Sequence, residues 1–199
     1  MSHYYEEDPN LESKPCTVHF EMNSHPFVLN SDSGVFSASK LDTGTAILLE
    51  TVLQQAKPVR TVLDLGCGIG PVGVVLGSLW NARVLGIDTN AKAARLARDN
   101  YRNAHVEGRV LVQDGLQDLD EKFDCILLNP PIRTGKQTIY RLFSEAADHL
   151  TDQGALWIVI RKQHGAASAV DYLEKSGLDV RRVSRDKGFW VLKVTRPKL

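Results

Sequence analysis

Cysteine is scarce in this chain: Cys16, Cys67 and Cys125 are an odd number, lie far apart, and are all that 199 residues hold. No disulfide framework can be drawn on them, and such usage fits a reducing cytoplasm. Long apolar runs are missing as well. Uncharged apolar stretches such as Ala155 to Ile160 fall far short of the ~20 residues a membrane helix needs, and Glu6, Glu7 and Asp8 put the wrong charge ahead of a secretory core. Membrane insertion and classical secretion are therefore not expected. Neither sign of charge is in excess, since 24 Lys and Arg balance 24 Asp and Glu, and no internal repeat or low-complexity tract is visible. Collagen-like, coiled-coil and disordered classes fail on these grounds. What is present, 43% hydrophobic residues in a chain of this length, suffices for a core with a cleft.

The balanced charge hides an asymmetry. Residues 1–129 carry 11 Lys and Arg against 17 Asp and Glu, whereas residues 130–199 carry 13 against 7. The cations gather in Arg181, Arg182, Arg185, Lys187, Lys193, Arg196 and Lys198. Such a cluster suits phosphate, because a few placed cations neutralise several phosphates whatever the total charge; it suits a solvated domain edge equally.

From Thr61 onward, short apolar runs alternate with helical stretches, each bounded by Gly, Pro, Asn or Asp. The spacing predicts strands at Thr61–Leu65, Arg83–Ile87, Arg109–Val112, Asp124–Leu128, Ala155–Ile160, Val180–Val183 and Phe189–Thr195. Most are near-continuous apolar runs rather than alternating ones, as belongs to strands covered on both faces by helices. Helices are predicted at Gly70–Trp80, Asn90–Asn103, Gly135–Leu150 and Gly165–Ser176, the second burying Ala94, Leu96, Ala97 and Tyr101. The last two strands lie close enough for an antiparallel hairpin. The expected fold is α/β, a Rossmann-like, seven-stranded, mostly parallel sheet with an antiparallel last strand and helices on both faces. Residues 1–57 read as an N-terminal β/α extension packed on it, with strands at Thr17–Met22 and Pro26–Leu29 and a helix at Asp42–Gln55. Residues 58–199 form the main domain.

The run Asp64-Leu65-Gly66-Cys67-Gly68-Ile69-Gly70 sets a glycine-rich turn between a strand and a helix. Glycine there lets a ligand approach the backbone while the helix offers its unpaired N–H groups. Asp88 closes the next strand, where an acid can accept from both hydroxyls of a ribose. Together these residues point to a cofactor carrying adenosine, although a turn serving chain reversal alone has the same composition. Gly68, Gly70 and Gly73 formally satisfy the dinucleotide fingerprint. Asp64, however, stands inside the turn, where it would repel a pyrophosphate and attract the ammonium of an amino-acid moiety. S-adenosyl-L-methionine carries that ammonium and no phosphate. Asp114, past the third strand, is a candidate acceptor for an adenine amine or simply a turn cap.

After the fourth strand comes Asn129-Pro130-Pro131-Ile132, at the carboxyl end of the sheet where open α/β folds bind ligands. The lone pair of an amine conjugated to a heterocycle is delocalised into the ring. Two hydrogen bonds from the NH₂ group, to the Asn129 side-chain carbonyl and the Pro130 main-chain carbonyl, fix the nitrogen and direct its electrons at a sulfonium methyl. Prolines stiffen that backbone and remove competing donors. The tetrapeptide is also a good rigid turn, and its place downstream of the glycine loop favours the amine reading.

These residues resemble the class I S-adenosylmethionine-dependent methyltransferases, and within them the methyltransferase small domain group that includes the ribosomal small-subunit RNA guanine-N2 methyltransferases. The resemblance runs over His3-Tyr4-Tyr5, Ser33 to Ser37, Leu41 to Thr45, Asp64 to Gly70, Asp88 and Asn129 to Arg133. It implies that Asp64, Gly66, Cys67, Gly68 and Gly70 line the cofactor, with Asp88 at the ribose and Asp114 at the adenine. It implies Asn129, Pro130 and Pro131 at the target amine, with Asn129 also at the cofactor, and Phe36, Asp42 and Gly44 closing the cofactor pocket. The implied partner is RNA of the ribosomal, 16S type, with the guanine single-stranded or flipped out. Ile132 stands where adenine- and glutamine-directed relatives carry a stacking aromatic, which turns the expectation away from those targets. Ribosomal members carry a second related domain in front; this sequence holds one, so docking falls to the N-terminal extension or the basic C-terminal region.

Other features carry less. Cys16, His19 and His25 lack a fourth ligand nearby, and no metal is expected. Cys67 has no histidine beside it and reads as a small residue in a tight turn. His105, His149 and His164 read as surface residues, and Trp80, Trp157 and Trp190 as core. Competing functions are methyl transfer to another RNA or to a protein amide nitrogen, an NAD-dependent oxidoreductase, and a non-catalytic RNA-binding module.

Overall fold

A computed structural model describes residues 12–197; His3, Tyr4, Tyr5 and Lys198 lie outside the described residues. The described residues form two compact units. One holds the chain up to Thr43 together with Pro58–Asp114, the other Gly44–Lys57 together with the chain from Gly115.

The first unit opens on a two-stranded antiparallel sheet, β1 (Cys16–Met22) and β2 (His25–Ser31). Asn23 and Ser24 both take positive φ at the turn, the twist a two-residue hairpin requires. Three parallel strands follow, β3 (Thr61–Leu65), β4 (Arg83–Asp88) and β5 (Gly108–Val112). Helices α2 (Pro71–Trp80) and α3 (Ala91–Asn103) connect them. Pro71 at the first helical position needs no hydrogen-bond donor and starts α2, whose Val72–Gly77 are all buried. Asn90 caps α3 by accepting from the Ala93 N–H at 3.0 Å. Its buried face is Ala93, Ala94, Ala97, Asn100 and Tyr101; Leu96, expected on that face, is only half-buried.

The second unit holds α1 (Thr43–Gln55, its first residue belonging to the other unit), β6 (Phe123–Leu128), α4 (Lys136–Asp148), β7 (Leu150–Arg161), α5 (Ala166–Lys175), β8 (Asp179–Asp186) and β9 (Phe189–Thr195). β6 and β7 are parallel, while β9 runs antiparallel to both β7 and β8. Lys187 and Gly188, both at positive φ, make the turn between β8 and β9, so β8 extends past the expected Val183 to Asp186. The seven-stranded sheet has the order β5-β4-β3-β6-β7-β9-β8 and is mostly parallel, the expected Rossmann-like arrangement.

Of the three tryptophans expected in the core, Trp157 is 1% exposed, but Trp80 and Trp190 are only half-buried. Trp80 is the last residue of α2 and Trp190 the second of β9. His105 and His164 are exposed; His149 is half-buried, its Nδ1 2.6 Å from the Glu145 carbonyl and its Nε2 2.8 Å from that of Leu119. Among the described residues no helix is long and apolar enough to cross a membrane, and no group of His, Cys, Asp and Glu is placed to hold a metal ion.

Candidate active site

In the first unit the glycine loop is held by its own backbone. The N–H groups of Gly66 and Cys67 both donate to the Ile87 carbonyl at 2.8 Å, and the Gly70 N–H donates to the Cys67 carbonyl at 2.9 Å. Gly66, Gly68 and Gly70 all take positive φ, so each needs glycine for conformation. Their surroundings differ. A Cβ on Gly66 or Gly68 would meet nothing within 4 Å, whereas one on Gly70 would lie 2.8 Å from the Tyr101 ring. The first two open onto space a ligand can fill, and the third makes room for α3.

Asp64 lies beneath this loop, 4% exposed, with Oδ2 buried and without a partner. Burial first, and the neighbouring Asp88 charge second, push its pKa up to about 8, against the Gly73 N–H, which favours the carboxylate. Asp88 is half-buried. Its Oδ2 accepts from the Gly68 N–H at 2.7 Å and its Oδ1 from the Asn90 N–H at 2.8 Å, and burial still raises its pKa. The carboxylate expected at a ribose is therefore also the clamp that ties the glycine loop to the start of α3.

Asp88 is the register partner of Val112, and the Gln113 N–H donates to the Asp88 carbonyl at 3.1 Å, which brings the exposed Asp114 to the same strand ends. Cys67 is buried, and burial, then Asp64, then Asp88 hold its thiol protonated, so it packs rather than reacts. Phe36 is 45% exposed in the loop after β2, Asp42 half-buried near its end.

Two residues that sequence reasoning passed over hold this group together. The Asn90 amide reaches the Gly34 carbonyl at 3.4 Å, joining the Ser33–Ser37 segment to α3. The Asn100 carboxamide donates to the carbonyls of Ile69 at 2.8 Å and Asn30 at 2.9 Å and accepts from the Asn30 N–H at 2.7 Å. A polar amide on an otherwise apolar helix face was the available signal.

In the second unit Asn129 follows β6 and is half-buried, with Pro130 buried behind it. Its Nδ2 donates to the Thr45 hydroxyl, 3.1 Å away on the first turn of α1 beside the buried Gly44. The Pro131 carbonyl accepts twice from Thr134, from the N–H at 2.9 Å and the hydroxyl at 2.8 Å. No described residue donates to the Pro130 carbonyl.

The family model of the methyltransferase small domain matches residues 26–193. This chain belongs to that family. An uncharacterized protein, YbxB of Bacillus subtilis (strain 168), is 36% identical over 98% of both chains. The ribosomal RNA small subunit methyltransferase C of Haemophilus influenzae (strain 86-028NP) is 38% identical over 75% of this chain and 48% of its own length. The present chain thus spans about half the length of the ribosomal methyltransferases it matches. The structure of the T. thermophilus 16S rRNA N2 G1207 methyltransferase (RsmC), in complex with AdoMet and guanosine, superposes with a TM-score of 0.82 at 23% identity. It covers 95% of this chain and 52% of that one. The small-domain methyltransferase fold is therefore common to both.

Proposed function

We propose that this chain transfers a methyl group from S-adenosyl-L-methionine to an exocyclic amine of RNA, guanine N2 of ribosomal RNA before any other. The observation that carries the reading is the pairing of an Asn129 amide anchored at its nitrogen by Thr45 with a Pro130 carbonyl to which no described residue donates. Anchoring Nδ2 on Thr45 commits the other end of the amide to accepting. Two acceptors, Asn129 Oδ1 and the Pro130 oxygen, then take the two hydrogens of an NH₂ group and raise the electron density on its nitrogen. The proton left on the methylated nitrogen is acidic, so no strong base is needed.

S-adenosyl-L-methionine, when bound, supplies a methyl on a positively charged sulfur. The chain's residues fit that group. Asp64 offers a buried, unpartnered oxygen suited to the ammonium, and Gly66 and Gly68 leave the space beside it open. The same geometry opposes the dinucleotide reading, because Gly70 and Gly73, two of its three fingerprint glycines, are filled by the Tyr101 ring rather than turned to a pyrophosphate.

Incubation with methyl-labelled S-adenosyl-L-methionine and unmodified small-subunit ribosomal RNA, followed by digestion to nucleosides, tests the proposal. N2-methylguanosine is the expected product. Label in another nucleoside or in ribosomal protein moves the target, and no label anywhere overturns the reading.

A further inference from the structure

β8 is the edge strand of the sheet, paired on one side by β9 alone. In a regular strand, residues three apart point to opposite faces. Arg182 and Arg185 do not, because the register of β8 shifts between them: Arg182 lies opposite Leu192, yet Ser184 lies opposite Val191 and Arg185 opposite Trp190. The extra residue is Val183, a β-bulge, and its carbonyl is capped by Gln55 Nε2 at 3.1 Å. The bulge puts both arginines on the face of Trp190. Their guanidinium carbons lie 4.5 and 5.4 Å from its ring centroid, and the ring is half-exposed.

Two like charges are thus gathered on one indole with no neutralising partner. Among the described residues no carboxylate forms an ion pair with either arginine, whereas Arg102, Arg141 and Lys175 each hold one. The acids of β8, Asp179 and Asp186, lie opposite Thr195 and Phe189, on the other face of the hairpin. A guanidinium held over a ring by its carbon still has N–H groups to offer an anion. Cations gathered in this way, with no carboxylate to neutralise them, suit the phosphates of a nucleic-acid strand.

We infer that the Arg182–Trp190–Arg185 platform is a docking surface for the sugar-phosphate backbone of substrate RNA. The inference rests on the reading that the substrate is RNA, and its test is independent of methyl transfer. The full chain and its R182Q/R185Q variant are titrated against a fluorescently labelled, unmodified small-subunit ribosomal RNA fragment over a range of salt concentrations. An R102Q/K175Q variant, which removes two carboxylate-paired surface cations, is the control. Melting curves verify that all three fold.

The double arginine variant is expected to bind about tenfold more weakly near 0.1 M salt, with the slope of log K against log salt reduced by about 2, one per lost phosphate contact. The control keeps the wild-type slope. Wild-type slope and affinity in R182Q/R185Q overturn the inference, as does binding of phosphatidylglycerol vesicles without binding of RNA. Arginine-dependent RNA binding by a chain that methylates no RNA upholds the platform while sinking the proposed activity; methylation with arginine-independent binding does the reverse.

Discussion

The side-chain amide of Asn129 is held from the first turn of α1: its Nδ2 donates to the Thr45 hydroxyl at 3.1 Å. The contact orients the amide, and so makes Thr45 a positioning residue for the proposed reaction. Thr45→Val keeps the shape and removes the acceptor. Loss of one such bond is worth about 1 kcal/mol, so kcat is expected to fall about five- to tenfold, with Thr45→Ser restoring it. Asn129→Ala removes the acceptor itself and is expected to lower kcat by about 10²–10³ while cofactor binding, read as a thermal shift, persists. Equal rates in wild type and Asn129→Ala would show that the amine is held elsewhere.

Asp64 makes the chain pH-sensitive. Its carboxyl is pushed up to about 8 by burial and by Asp88, well above the unfolded value of about 3.9. Its contribution to stability is therefore complete below about pH 4 and is lost as pH rises through 8. The melting temperature of wild type is expected to fall more steeply between pH 5 and 9 than that of Asp64→Asn, which has nothing to titrate there. A bound ammonium pulls the same pKa down, so cofactor binding near pH 7 should release protons, visible by calorimetry in buffers of different ionisation enthalpy. Parallel melting profiles for the two proteins would mean that Asp64 is ionised in the fold throughout.

Much of this was legible before the structure, and unevenly so. The strands β3, β4 and β6 are legible because each is a near-continuous apolar run bounded by turn residues, a signal confined to its own segment. The glycine turn and Asn129-Pro130-Pro131 stand out for the same reason: each is a run of adjacent residues at a strand end. What escaped depends on partners far along the chain. Thr45 is an ordinary helix threonine until Asn129, 84 residues on, meets it. The bulge at Val183 leaves no mark in sequence, since Arg182 and Arg185 share a face only through their register with β9. β7 runs beyond the apolar stretch Ala155–Ile160 because Leu150–Gly154, mixed in polarity, joins the strand across an irregular pairing between Phe123 and Cys125.

Tyr101 illustrates how glycine can serve packing rather than ligand approach. A Cβ on Gly70, Gly73, Gly86 or Gly108 would come within 2.8, 2.1, 2.8 or 2.9 Å of its side chain. The hydroxyl so enclosed is buried and has no partner. Tyr101→Phe removes an unsatisfied polar group at little cost in volume and is expected to raise stability by about 1 kcal/mol in urea unfolding. Gly73→Ala drives a methyl into the ring and is expected to lower it by about 1–3 kcal/mol. A destabilised Tyr101→Phe would reveal a hydrogen bond that the hydroxyl makes in solution.

The amide of Asn100 links the glycine loop to the N-terminal hairpin. Through one side chain, the Ile69 carbonyl and both backbone groups of Asn30 are satisfied inside the first unit. Asn100→Ala strands those three groups in a buried setting, and a loss of about 2–4 kcal/mol is expected from the desolvation left unrepaid. The damage should also be local. Ile69 sits between Gly68 and Gly70, so hydrogen exchange at Gly66, Gly68 and Gly70 should speed up before global unfolding, and cofactor affinity should fall by more than the stability change alone predicts. Asn100→Asp, which keeps the acceptor for the Asn30 N–H and loses both donors, should fall on the same side. Unchanged exchange in the loop of Asn100→Ala would mean that the hairpin and the glycine loop hold their shapes independently.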